Sequence, residues 1–170
     1  PFPVRRLDRV TEREQALALV FENIDPGEQV SAFRPLIREE DYTLYQTLGY
    51  YVRRRPGSLA DNLEFFLRFS STANSDASNA YEISMRLDKI DDWQTIDIPL
   101  AEISRLKIGV PDSLLNVPTR LNAEADVSGG LHVKIFGKPS FSQVRRLQVG
   151  VRNVGDFRVE SGEVWFNELR

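Results

Sequence analysis

The chain is written in short stretches of strict alternation. In Tyr81-Glu82-Ile83-Ser84-Met85-Arg86-Leu87-Asp88 every odd position is apolar and every even one is polar or charged. An extended backbone sends one such set to a core and the other to water, so this is a half-buried strand. The same period of two runs through 63–70, through 95–100 with Ile96, Ile98 and Leu100 inward, through Leu131-His132-Val133-Lys134-Ile135, and around Leu147, Val149 and Val151. Leu17, Leu19 and Phe21 mark a strand near the start, Leu48, Tyr50 and Val52 another, and the last is expected over 163–169. Turn-forming residues separate these runs at Asp25-Pro26-Gly27, Arg55-Pro56-Gly57, the polar stretch 72–79, Ser128-Gly129-Gly130 and Gly137-Lys138-Pro139.

Helix has a smaller share. The spacing predicts a short helical turn over 101–106 and a second over 39–46, neither long enough to form a layer. The stretch 109–126 carries Pro111, Pro118 and several Asn and Asp residues without a sustained period, and reads as a long surface loop or insertion. About eight strands with irregular connections and two apolar faces stack as two sheets more readily than they close into a meander barrel. The expected fold is all-β: a jelly-roll-like β-sandwich with one or two short helices, filling residues 1–170 as a single domain.

Composition narrows the function. With 25 acidic against 22 basic residues the formal charge is −3, whereas a nucleic-acid binder needs an excess of Lys and Arg to displace phosphate counterions. The chain has no cysteine, which removes disulfides, thiolate zinc sites and a Cys nucleophile. No run approaches the roughly 20 apolar residues of a membrane helix, so no membrane insertion is expected of this segment. Pro1-Phe2-Pro3-Val4 does not begin a signal peptide, and the leader of an exported parent is expected upstream.

Candidate chemistry is sparse. His132 is the sole histidine and occupies a polar slot of an alternating strand, so a His-based metal cluster is excluded and a catalytic triad would rest on it alone. The acids Glu39-Glu40-Asp41, Asp91-Asp92 and those of 163–168 are numerous, yet none lies in a recognisable catalytic motif, and a glycosidase needs two carboxyls set about 5 to 10 Å apart across a cleft. No glycine-rich phosphate loop is present. The expectation is a domain that is not an enzyme, with no catalytic, metal or cofactor-binding residues. A loop calcium ion is the one alternative considered, with oxygen ligands from Asp25, Glu28, Asn74, Asp76 and Asn79, although no EF-hand spacing accompanies them.

Two residue classes remain as recognition candidates. Arginines fall in tight runs, Arg5-Arg6, Arg53-Arg54-Arg55 and Arg145-Arg146, and present planar donors to carboxylates or phosphates. Tyr51, Phe66, Phe136 and Trp165 fall out of phase with the main apolar faces, where a flat ring can stack on a partner or on a pyranose, or pack beneath a loop. Arg53, Arg54, Arg55, Tyr51, Phe136 and Trp165 make up the expected interaction surface.

An ordered series of segments resembles the repeated extracytoplasmic domains of the SprA/Sov family. It comprises Leu17-Ala18-Leu19-Val20-Phe21-Glu22-Asn23-Ile24-Asp25-Pro26-Gly27, the stretches 42–52 and 63–69, Tyr81-Glu82, Trp93 with Ile96-Asp97-Ile98-Pro99-Leu100, and then 133–139 and 144–153. The most specific part is Val149-Gly150-Val151-Arg152-Asn153 together with the closing Gly162-Glu163-Val164-Trp165-Phe166-Asn167-Glu168-Leu169-Arg170. The resemblance implies an accessory module of the giant outer-membrane translocon of type 9 secretion, linked to gliding motility. It implies a cell-envelope location, and as partners other regions of one large chain, secretion-system subunits or cargo proteins. The strand order also looks like the galactose-binding type of jelly roll, and this supplies the alternative of a carbohydrate-binding module from an exported glycan-degrading enzyme. Fold likeness alone does not transfer a ligand.

Overall fold

The computed structural model describes residues 16–55, 62–73, 78–87 and 92–167. The alternating stretches form strands: β1 (Leu17–Ile24), β3 (Thr47–Arg54), β4 (Leu63–Ser70), β5 (Ala80–Arg86), β6 (Gln94–Pro99), β8 (Leu131–Phe136), β9 (Val144–Asn153) and β10 (Val159–Asn167). To these are added β2 (Gln29–Glu40) and β7 (Leu121–Val127), which the local pattern does not announce. The small sheet runs β1-β10-β3-β6 and the large one β2-β9-β4-β5-β8-β7, with every pair antiparallel. Apart from the β7–β8 hairpin, the chain passes between the sheets as a jelly roll does, with β1, β10, β3 and β6 facing β2, β9, β4 and β5. The hairpin extends the large sheet beyond β5. No helix among the described residues is long and apolar enough to cross a membrane.

Two local expectations are corrected. The segment 39–46 is not a helix: Glu39 and Glu40 end β2, and the chain then turns at 43–44. The Asp41 carboxylate accepts hydrogen bonds from the Thr43 N–H at 2.8 Å and the Thr43 hydroxyl at 2.5 Å, which offers the backbone a local alternative to helix. The region 109–126 is not a loop throughout. It holds a single helical turn, α2 (Asp112–Leu115), and then β7, an edge strand whose inward positions carry the small Ala123 and Ala125. β2 is the opposite edge of the large sheet, and Pro35 in its middle is tolerated because an edge strand leaves one side unpaired. The predicted helical turn forms as α1 (Leu100–Arg105), with Leu100 and Ile103 buried. Asp88, Pro56 and Gly57 of the expected strand and turn lie outside the described residues, as do Leu169 and the Arg5-Arg6 pair.

The two inner faces meet in one apolar core. Phe65 of β4 is fully buried, with its ring 5.4 Å from Tyr50 of β3 and 4.9 Å from Phe166 of β10. A second aromatic group closes another part of the core, where Phe141 stacks on Tyr81 at 4.1 Å and meets Phe69 edge-on at 5.6 Å. Tyr81 reconciles its hydroxyl with burial by donating to the Pro139 carbonyl at 3.1 Å.

The middle of the outer face of the large sheet is also buried, by its own side chains. Glu82 of β5 is 1% exposed and accepts hydrogen bonds from Arg68 at 2.6 Å and Arg152 at 3.0 Å. Arg152 also donates to Glu64 at 3.1 Å. Both guanidiniums lie over the Phe66 ring, at 4.7 and 5.1 Å from its centre. The out-of-phase Phe66 is therefore a packing residue covered by paired arginines. Its ring lies across Gly150 of β9, where an added Cβ would come within 2.3 Å of the ring and 2.7 Å of the Val30 carbonyl. That close approach requires glycine.

This packing sets the cost of two substitutions. Gly150→Ala must displace the Phe66 ring, and is expected to lower unfolding free energy by about 1 to 3 kcal/mol in denaturant titration; an unchanged midpoint would contradict the close approach. Glu82→Ala strands the Arg68 guanidinium over an aromatic ring, while Arg152 keeps Glu64, and is expected to cost about 3 to 5 kcal/mol by the same titration, the range for breaking a buried ion pair from one side.

Candidate functional site

Alternation that buries one side of the small sheet dictates what its other side displays. On β3 and β10, Val52, Val164 and Phe166 point inward. Their neighbours Tyr51, Arg53, Glu163 and Trp165 point outward. In the register of the pair, Trp165 lies opposite Arg53 and Asn167 opposite Tyr51. On the other side of β3, Thr95 of β6 faces Tyr51 and Gln94 faces Val52, which brings Trp93 alongside Arg53. On the far flank, Ala18 of β1 lies opposite Trp165 and Val20 opposite Glu163.

The result is a strip of aromatic rings and guanidiniums. The Trp93 and Trp165 rings are 6.5 Å apart and tilted by 42°. The Arg53 guanidinium stands 5.6 Å from the centre of the Trp165 ring. Glu163 organises one end, accepting hydrogen bonds from the Trp165 indole N–H at 2.6 Å and from Arg55 at 2.6 Å. These donors, the indole first and then Arg55, hold its carboxyl below the usual carboxylate range. Val20, 65% exposed, adds an apolar edge. Arg53 Nε is buried with no hydrogen-bond partner among the described residues.

Of the expected interaction surface, the fold brings together Tyr51, Arg53, Arg55 and Trp165. It separates the other two. Arg54 is 1% exposed, because it follows Val52 in phase and turns inward at the end of β3. Phe136 belongs to the large sheet, opposite Ala80 and Leu121. Trp93 and Val20 are members that sequence reasoning missed. The period of two contained the signal for Trp93, which shares the outward phase of Thr95 and Asp97.

The other candidates are dispersed. Among the calcium-ligand candidates, Asp25 pairs with Arg158 at 2.6 Å, Glu28 accepts the Asp25 N–H at 2.9 Å and Asn79 accepts the Lys138 N–H at 2.9 Å. Asn74 and Asp76 lie outside the described residues, as does Asp91. Among the described residues no group of three His, Cys, Asp or Glu side chains is arranged to hold a metal ion. Arg145 pairs with Glu39 at 3.1 Å, and Arg146 lies over the Phe33 ring at 3.9 Å. No family model matches the chain, and no curated protein matches it.

His132 occupies the outer face of the β7–β8 hairpin, with Nδ1 2.7 Å from Asp126 and Nε2 2.7 Å from Glu124. The Asp126 contact leads, ahead of the opposing effect of partial burial and the support of Glu124, in raising its pKa above the ordinary 6.5. A raised folded-state pKa stabilises the hairpin fully below about pH 6.5, and that stabilisation is lost as pH rises through the folded value. The His132 imidazole resonances are expected to titrate above pH 6.5 in NMR, and Asp126→Asn to return the midpoint toward it. A wild-type midpoint at or below 6.5 would remove this pairing.

Proposed function

We propose that the chain is a non-catalytic interaction module of an outer-membrane protein-secretion translocon of the SprA/Sov type. In this reading it works at the cell envelope by docking the Trp93–Arg53–Trp165 strip onto a protein surface, either another region of the same large chain, a secretion-system subunit or cargo. The observation that carries the interaction role is that strip: a guanidinium stacked on one of two neighbouring indoles, with no carboxylate partner among the described residues, on the outside of a sheet whose inside is packed. Trp, Tyr and Arg are the residue types that dominate binding energy at protein interfaces. The ordered series of segments from Leu17 to Arg170 that resembles the SprA/Sov domains supports the translocon assignment.

The carbohydrate alternative calls for a flat pair of exposed rings. The tilt of 42° between Trp93 and Trp165 favours an irregular protein surface over a pyranose face.

In cells of the source organism, an antibody to this chain is expected to detect a very large outer-membrane protein. Replacing Arg53 and Trp165 together, by Glu and Ala, is expected to reduce secretion at least tenfold while that protein remains at its normal level. A small secreted band would overturn the translocon reading. Undiminished secretion by the double variant would remove the strip from it.

A further inference from the structure

The edge strand β7 is held to the large sheet unevenly along its length. Only β8 pairs with it. Its two ends are pinned. Val127 is buried in the core, and the adjoining Ser128 N–H and hydroxyl donate to Glu102 of α1. At the other end the Asn122 side-chain amide donates to the Gly137 carbonyl at 3.0 Å. Between these anchors the inward positions are Ala123 and Ala125, both partly exposed. Two methyl groups bury little apolar surface, so the middle of β7 depends on its backbone ladder and on what its outward side chains, Glu124 and Asp126, hold.

Both hold His132. Its Nδ1 lies 2.7 Å from Asp126 and its Nε2 2.7 Å from Glu124. An ionised carboxylate only accepts, so satisfying both contacts takes two N–H donors, which imidazolium has and neutral imidazole lacks. The charges around the ring do not replace the lost donor. Lys134, on the same face of β8, pairs only at 3.9 Å and only with Glu124. Asp126 has no cation other than His132 among the described residues. From β5, the cross-strand neighbour Ser84 is committed to Glu64 at 2.9 Å, and Glu82 to Arg68 and Arg152. Arg86, two residues beyond Ser84, makes no ion pair among the described residues. A neutral imidazole therefore turns a lone pair toward one of the two acids.

We infer that His132 is a proton-operated clamp on the edge of the large sheet. As imidazolium it bridges Glu124 and Asp126 and keeps the middle of β7 on β8. On losing its proton it releases one carboxylate, and residues 123–126 open from β8 more often while both ends stay anchored. Opening bares the β8 ladder, the kind of strand edge that accepts an added strand. The Asp126 contact foremost keeps the ring's pKa above the ordinary 6.5, so the clamp is shut in mild acid and loosens as pH rises through the folded value. This device stands independently of the docking role proposed for the Trp93–Arg53–Trp165 strip.

The test is amide hydrogen exchange on the whole chain, each rate being divided by that of an unstructured peptide at the same pH so that base catalysis cancels. Protection of residues 123–126 is expected to fall about two- to fivefold between pH 5.5 and pH 9, the scale of one solvent-exposed charged contact, while protection of β9 stays unchanged. His132→Arg keeps donors and charge at both pH values and is expected to hold β7 protected throughout. His132→Gln has no imidazolium to lose and is expected to show the lowered protection at both. Equal β7 protection at the two pH values in the wild type, a parallel fall in β9, or wild-type pH dependence in either variant would each overturn the proposal.

Discussion

The burial of Phe65 between Tyr50 and Phe166 is the contact on which the remaining geometry depends. It joins the central strand β4 of the large sheet to the two central strands of the small one. Burying a phenylalanine of this kind contributes about 1.5 to 3 kcal/mol, but its positional effect reaches further. In a strand, fixing one side chain inward fixes both neighbours outward. Seating Tyr50 and Phe166 on Phe65 therefore also seats Tyr51 and Trp165 on the opposite surface. The outer strip is held by strands rather than by loops, and its order derives from the core beneath it.

The parts of the fold that are legible in the sequence are those where the inward positions are large and apolar. β5, β8 and β9 present Tyr81 and Ile83, Val133 and Ile135, and Val149 and Val151 at every second residue, and the alternation is plain. β2 and β7 are edge strands. Half of their surroundings is solvent, so their inward positions accept Ala32, Ala123 and Ala125, and β2 accepts Pro35. No local pattern remains to be read there. The turn at 41–46 is illegible for another reason: a charged segment has helical propensity, and only the Asp41–Thr43 bonds reveal that a turn wins.

The candidate surface divides along the same physical line. Tyr51, Arg53, Arg55 and Trp165 are recoverable because they share one phase on strands that pair. The run Arg53-Arg54-Arg55 looks like a patch in sequence, yet a strand must send its middle member to the other side, and Arg54 is buried as a result. Phe136 has the right phase on the wrong sheet. Which sheet a strand joins is decided by pairing across long stretches of chain, as β8 pairs with β5 rather than with any strand of the small sheet. Local alternation carries no information about that choice.

The two outer faces use arginine in opposite ways, and this distinguishes scaffold from recognition surface. On the large sheet Arg68 and Arg152 are consumed by Glu82 and Glu64, and their planes cover Phe66. Nothing is left over for a partner, because each guanidinium already has a carboxylate and a ring. On the small sheet Arg53 has the ring but no carboxylate among the described residues: Glu163 is taken by Trp165 and Arg55. A guanidinium that is stacked yet not neutralised is oriented before any partner arrives, so less side-chain entropy remains to be lost on binding. On the small sheet the residue with capacity for a partner is marked by the acid it lacks, because a charge already matched within the chain has little left to gain from outside it.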